Sequence, residues 1–344
     1  MSYVLGIDGG GTRTTAWLAD ERGKVFARAV AGPSNPLKVG FDASQRQILR
    51  AAKLAMRKAR LPLSVPALGA CPPASRGERR KQKATAERRG KTAAADRYSQ
   101  LALDAVVLGL AGVDRPPIYR KLDKWLRKAI PARHHLLTSD AAIAMHAAIG
   151  DNPGIIVISG TGSIAYGQDG RGHALRSGGW GTVFDDVGSG YDLGCKAIIA
   201  ALHDFDGRGP FTQLAARLRK ALRIPDMTRV VLLPLTPQKI AGLFPLVLDS
   251  ARRRDFVAQK LCEEAGRDLA DLAIALLKRL GWLRRAVPVV CAGGVFRASP
   301  RVRRSFAFHL HRRAPNARIL LHRQPPVLGA LALARGLATS QAED

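Results

Sequence analysis

Cysteine is scarce in this chain: four in 344 residues, at Cys71, Cys195, Cys262 and Cys291, with no C-x-x-C pair. Such wide spacing argues against a disulfide framework and against a zinc site. Aromatic residues make up only 6%, and none interrupts the charges of the Arg76–Arg97 stretch. The stacking platform of a single-strand nucleic-acid binder is therefore missing there. No apolar run approaches the roughly 18 residues that span a bilayer. Met1 to Gly6 lack the basic segment and cleavage site of a signal peptide, so a cytoplasmic location is the default expectation. Acidic residues are outnumbered, 27 against 55 Lys and Arg, for a net charge of +28. That excess raises the prior for a polyanion partner. A basic, Arg-rich background plus an anionic small substrate such as ATP is the reading that the placement of the charge favours. Much of the charge lies in Arg76–Arg97 and in Arg297–Arg323, the latter reading as a solvated helix face.

What is present reads as globular, with 47% hydrophobic and 24% charged residues, and long enough for two domains. Residues 3–8, 14–19 and 24–31 read as strands joined by turns at Gly9-Gly10-Gly11 and at Asp20 to Gly23. This opening is a meander, whereas a dinucleotide fold opens strand, turn, helix. A helix is expected over 41–60, a buried strand over 103–112, a helix over 118–130, a strand over 135–139 and a helix over 140–149. Residues 62–100, Pro-rich and then Lys/Arg/Ala/Glu-rich, read as an inserted surface loop. Asp151-Asn-Pro-Gly154 marks the expected boundary between a domain over 1–150 and one over 151–330. A second meander opens at 155–159 and 164–166. Mostly helical stretches over 187–224 and 239–281, a strand over 287–292 and a last helix over 326–337 follow.

Two glycine turns carry the first chemical signal. Gly9-Gly10-Gly11-Thr12 follows a buried strand, and without Cβ atoms its N–H groups can close on an anion, with Thr12 adding a hydroxyl. Asp8 at the strand end could hold Mg²⁺ through a water, since hard cations prefer oxygen ligands. The turn is not a Walker loop, because no Gly-Lys-Ser/Thr follows. Taken alone it could be an ordinary tight hairpin. Gly160-Thr161-Gly162-Ser163 repeats the pattern about 150 residues later. Two such turns could grip one polyphosphate. Asp140, in Thr138-Ser139-Asp140, could accept a proton from an attacking hydroxyl, or could simply cap a helix. Gly179-Trp180-Gly181 with Asp186 could read a sugar, the ring on its apolar face and the carboxylate on its hydroxyls, or could form a core turn. Gly293-Gly294 after a buried strand would let an adenine lie flat on the backbone.

In order, the set is Asp-Gly-Gly-Gly-Thr, Thr-Ser-Asp, Ser-Gly-Thr-Gly-Ser, Gly-Gly-Trp-Gly, Asp-x-Gly-Ser-Gly and Ala-Gly-Gly-Val. It resembles the BadF/BadG/BcrA/BcrD ATPase family, and within it the N-acetylglucosamine kinases, over nearly the whole chain except 62–100. The resemblance implies an α/β fold of two ribonuclease-H-like, actin-like ATPase domains around a nucleotide cleft. A C-terminal helix, about 331–344, would return to the first domain. It implies ATP held by Gly9, Gly10, Gly11, Thr12, Gly160, Thr161, Gly162, Ala251, Gly293 and Gly294, with Mg²⁺ as the partner ion. It implies Asp140 as base, and Asn35, Asp140, Ser163, Gly179, Trp180, Gly181 and Asp186 as sugar contacts. The expected reaction is phosphorylation of an amino sugar, N-acetylglucosamine or glucosamine, at its 6-hydroxyl. No membrane or nucleic-acid partner is expected, and a homodimer stays open. Val187 stands where the family usually has an acidic residue, which puts fine specificity in doubt, and Arg253-Arg254-Asp255 replaces a common Gly-Asp.

Two rivals remain at this level. For an ATPase that energises an electron-transfer partner, the resemblance to family relatives of that kind implies paired cysteines at an iron–sulfur cluster, and no cysteine flanks the Gly160 turn. A basic nucleotide-binding regulator would rest on charge alone.

Overall fold

The computed structural model describes residues 2–59 and 103–339. The inserted stretch 62–100, with Cys71 and Arg76–Arg97, lies outside the described residues. Strand β1 (Tyr3–Gly9) shows why the first sheet forms where it does. Its side chains alternate, so Leu5 and Ile7 face one apolar layer and Val4 the other. A strand buried on both faces reads as a continuous apolar run. β2 (Thr14–Asp20) and β3 (Val25–Ala31) complete the meander, and β4 (Leu103–Leu110) and β5 (Ala132–Thr138) add parallel strands, in the order β3-β2-β1-β4-β5. Helices α1 (Pro36–Val39), α2 (Phe41–Lys58) and α3 (Pro116–Ala129) follow the strands in sequence. Ile48, Ala52 and Met56 of α2 and Leu122 and Leu126 of α3 cover one face of the sheet. On the other face Ile143 of α4 (Asp140–Ile149) packs with Ala330, Leu331 and Ala334 of the last helix, Val327–Thr339.

The second sheet repeats the topology. β6 (Gly154–Ser159), β7 (Ser163–Gln168) and β8 (Ala174–Gly178) form the meander, and β9 (Pro288–Ala292) and β10 (Arg318–Leu321) are parallel to β6, in the order β10-β9-β6-β7-β8. Its helical layer comprises α5 (Gly190–Phe205), α6 (Leu214–Leu222), α7 (Pro237–Ala241), α8 (Phe244–Arg252), α9 (Phe256–Arg279), α10 (Gly294–Ala298) and α11 (Pro300–Arg313). The last helix is therefore α12. The chain falls into two compact units, Met1–Ile143 with Pro326–Asp344, and Ala144–Pro325. The sequence reading had placed these limits at 150 and about 331.

The two mostly helical stretches are each divided into shorter helices. Gly207, at φ 71°, ends the first after α5. Arg254, at φ 64°, separates α8 from α9, whose first turn is capped by the Asp255 carboxylate accepting the Ala258 N–H at 2.8 Å. Strands β8 and β10 were not expected. Both are short and carry arginines, which hide a two-residue alternation. The basic stretch 297–323 is helical at the end of α10 and through α11, where Val302, Phe306 and Leu310 are buried and Arg304, Arg312 and Arg313 are exposed.

Candidate functional site

In the first unit, β1 and β2 are joined by the turn Gly10 to Arg13, closed by the Gly10 N–H donating to the Arg13 carbonyl at 3.0 Å. Among the described residues, the N–H groups of Gly11 and Thr12 donate to no protein acceptor. Two unpaired successive donors form an anion-binding concavity. A second tier fixes this turn. The carbonyl of Gly10 accepts from the N–H groups of Ser34 and Asn35, at 3.0 and 3.2 Å, and the buried hydroxyls of Thr14 and Ser34 meet at 2.8 Å. The sequence reading missed Thr14 and Ser34, and only the run Gly-Pro-Ser-Asn-Pro beside a strand end could have suggested them. Asn35 caps α1, its Oδ1 accepting the Leu37 N–H at 3.0 Å. Its amide N–H₂ makes no hydrogen bond among the described residues.

Asp140 opens α4, and the sequence left open whether it merely caps that helix. Ser139 takes that role, with its Oγ accepting the Ala142 N–H at 3.0 Å. Asp140 Oδ1 accepts the adjacent Ala141 N–H at 3.0 Å. Burial pushes the Asp140 carboxyl up to about 6, against the Ala141 hydrogen bond and with help from the negative charge of Asp114. Burial pushes Asp8 up to about 7, with Asp140 adding to the shift and Arg13 opposing it. Asp8 thus feels the charge of Asp140, so the first unit brings the expected base and the expected metal-side carboxylate together. Asp114 was not anticipated from sequence; it lies in the turn after β4 and pairs with Arg115 at 3.6 Å.

The carboxylate fits Mg²⁺. This ion takes one or two carboxylates plus waters and substrate phosphates, and Asp8 is a hard oxygen donor whose ionised form a cation would favour. Among the described residues no three His, Cys, Asp or Glu side chains cluster as a metal site.

In the second unit the corresponding turn joins β6 and β7, closed by the Gly160 N–H on the Gly162 carbonyl at 2.9 Å. The N–H groups of Thr161 and Gly162 donate to nothing among the described residues. The carbonyls of Gly160 and Thr161 accept from the first N–H groups of α5, Gly190 at 2.8 Å and Tyr191 at 3.2 Å. Asp186, buried and at φ 66°, accepts the Ser163 N–H at 2.9 Å. The Ser163 hydroxyl donates to the Val187 carbonyl at 2.6 Å. Both groups, expected on a sugar, are thus also part of the frame of the turn. Trp180 stands exposed between Gly179 and Gly181, both at positive φ, with the Arg176 guanidinium 4.0 Å from its ring centroid. One indole face therefore carries a cation.

Gly293 adopts φ 97°, and a Cβ on it would stand 2.1 Å from the Ser159 carbonyl. Close packing on β6 explains this glycine without any adenine, whereas Gly294 has open space. Ala251 lines a cavity of about 570 Å³ with Arg252, Arg254, Ala298, Arg301 and Arg304. Cys262 and Cys291 are buried in this unit, and burial pushes their thiols up to about 11 and about 12.

Twin mixed sheets with an anion-ready glycine turn at each first hairpin define an α/β protein of the sugar kinase/actin-like ATPase type. Residues 5–334 match the BadF/BadG/BcrA/BcrD ATPase family, and the chain belongs to it. A Clostridium acetobutylicum N-acetylmuramic acid/N-acetylglucosamine kinase is 30% identical over 97% of this chain and 99% of the relative. A Dictyostelium discoideum N-acetyl-D-glucosamine kinase is 27% identical over 96% and 97%. A Chromobacterium violaceum structure, described as a candidate N-acetylglucosamine kinase, superposes with a TM-score of 0.73 at 27% identity, covering 97% of this chain and 99% of that one. The chain is an ATP-using phosphotransferase. No helix among the described residues is long and apolar enough to cross a membrane.

Proposed function

We propose that this protein transfers the γ-phosphoryl group of ATP to the 6-hydroxyl of an amino sugar, with N-acetylglucosamine as substrate and glucosamine as the alternative. The observation that carries this reading is Asp140, a carboxyl shifted to about 6 beside Asp8 and in the unit of the Gly10–Arg13 turn. At neutral pH Asp140 is ionised and basic enough to accept a hydroxyl proton. In the proposed step that proton passes to Asp140, the sugar oxygen bonds to the γ-phosphorus, and the bond to the ADP oxygen breaks. The unpaired N–H groups of Gly11, Thr12, Thr161 and Gly162 are suited to stabilise charge on phosphate oxygens. Mg²⁺, when bound, supplies further neutralisation, and Asp8 would hold it through water. Ala251 and Gly294 are proposed as nucleoside contacts, and Asn35, Trp180 and Asp186 as sugar contacts. The names of the two curated kinases support the substrate class.

The test is sugar-dependent ADP release against N-acetylglucosamine, glucosamine, N-acetylmannosamine, N-acetylmuramic acid and glucose. N-acetylglucosamine should give the highest kcat/KM, and the product's phosphorus signal should couple to the C6 protons. ADP release that ignores every sugar would sink the reading.

A further inference from the structure

Lys38 has so far had no role. It is the third residue of α1, and its N–H donates to the Asn35 carbonyl at 2.9 Å. Its side chain lies across the phosphate turn. Cδ and Nζ are each 3.4 Å, and Cε 3.7 Å, from where a Cβ on Gly11 would stand. The residue is exposed and makes no ion pair among the described residues. Asp8 lies just before this turn and feels Arg13 and Asp140, and Asp140 feels Asp114, which pairs with Arg115. A polyphosphate reaching the Gly11 and Thr12 N–H groups would add several negative charges. An unpaired ammonium over that same backbone supplies the missing counter-charge as a point cation with three donors.

We propose that Lys38 is a phosphate-binding residue that engages the terminal phosphate of the bound nucleotide, which rests on the ATP-kinase reading above. Its place over Gly11 favours phosphate over an acidic sugar, since the sugar-side candidate Asn35 is turned toward Gly112, whose Cβ would stand 3.0 Å from Asn35 Oδ1.

The experiment is calorimetric binding of adenylyl imidodiphosphate, ADP and adenosine to wild type, Lys38→Met and Lys38→Arg. Lys38→Met should weaken the triphosphate analogue roughly tenfold or more, as the loss of a charge-assisted hydrogen bond predicts, affect ADP less and leave adenosine unchanged. Lys38→Arg should recover most of the affinity. Unchanged analogue affinity in Lys38→Met overturns the proposal, and so does an equal loss for all three ligands. A variant that binds the analogue normally but loses KM only for N-acetylmuramic acid, against N-acetylglucosamine, would make Lys38 a reader of the sugar carboxylate instead. Wild type that binds the analogue yet releases no ADP with any sugar sinks the kinase reading alone, while wild type that binds no analogue overturns both.

Discussion

The two units repeat one strand order, and each places a glycine turn between the first two strands of its meander, yet the surroundings of those turns differ. Around Gly10–Arg13 stand Asp8, Asp114, Asp140, Arg13 and Lys38, and burial holds two of the carboxyls near neutrality. Around Gly160–Gly162 stand hydroxyls and backbone, and the nearest carboxylate, Asp186, is tied to the Ser163 N–H. The glycines differ as well. Gly10 and Gly11 have neither a positive φ nor a blocked Cβ direction, so folding does not require them to be glycine. A Cβ on Gly162 would stand 2.5 Å from Asp186 Oδ1. The duplicated topology sets where a turn falls, and the side chains around it divide the work. The first unit carries two carboxyls raised toward neutrality, while the second offers a frame of backbone donors and hydroxyls.

The largest expected effect tests that rigidity. Gly293→Ala forces a methyl into the Ser159 carbonyl from a backbone at φ 97° and should destabilise the protein by about 3 kcal/mol or more. Urea unfolding measures it, and a loss under about 1 kcal/mol would show that the packing of β9 on β6 is looser than drawn. Next comes the charged half. Asp140→Asn should lower turnover roughly 100-fold or more while ATP binding persists, the usual worth of a general base. Steady-state ADP release beside nucleotide binding separates the two, and unchanged turnover would move the base elsewhere.

The sequence showed most of the first unit and less of the second, for physical reasons. Buried strands such as Ile155–Ser159 stand out because both faces are apolar, and the glycine turns stand out because they follow such strands. Asp140 and Asn35 were legible as candidates through motif context. Asp114, Thr14, Ser34 and Lys38 were not, because each acts through a neighbour distant in sequence and has no local pattern of its own. β10, four residues opening on Arg318, gives no periodicity, and the break at Arg254 depends on a left-handed non-glycine residue that composition does not announce.

The third effect also belongs to the charged half. Asp140 titrates near 6 in the folded protein against 3.8 for the free side chain. Between those values the folded state keeps a proton that the unfolded chain has released. Stability therefore falls as pH rises from about 4, and the penalty is complete above about 6. Asp8, raised to about 7 partly by Asp140, extends the window upward. Asp140→Asn removes the buried charge, so it should stabilise the protein by about 2 kcal/mol at pH 8 and by nearly nothing at pH 4. Urea midpoints at the two pH values decide it, and a variant equally stable relative to wild type at both would mean that Asp140 is solvated. Activity of the wild type should fall below about pH 6, as the base takes up its proton.

The smallest effect on folding is the sharpest test of the comparison. A Cβ on Gly10 would meet only the Arg13 carbonyl, at 3.5 Å, and one on Gly160 would meet nothing within 4 Å. Neither residue has a positive φ. Gly10→Ala and Gly160→Ala should each change stability by less than about 1 kcal/mol, since alanine also lowers the entropy of the unfolded chain. In the proposed nucleotide site, what glycine provides at these positions is approach, because a phosphate can lie on the backbone only where no methyl intervenes. Both variants should therefore weaken ATP binding while unfolding at nearly the wild-type urea concentration. Weakening in Gly10→Ala alone would assign phosphate recognition to the charged unit and leave the second turn as a scaffold, and unchanged affinity in both would remove the glycine turns from the nucleotide site.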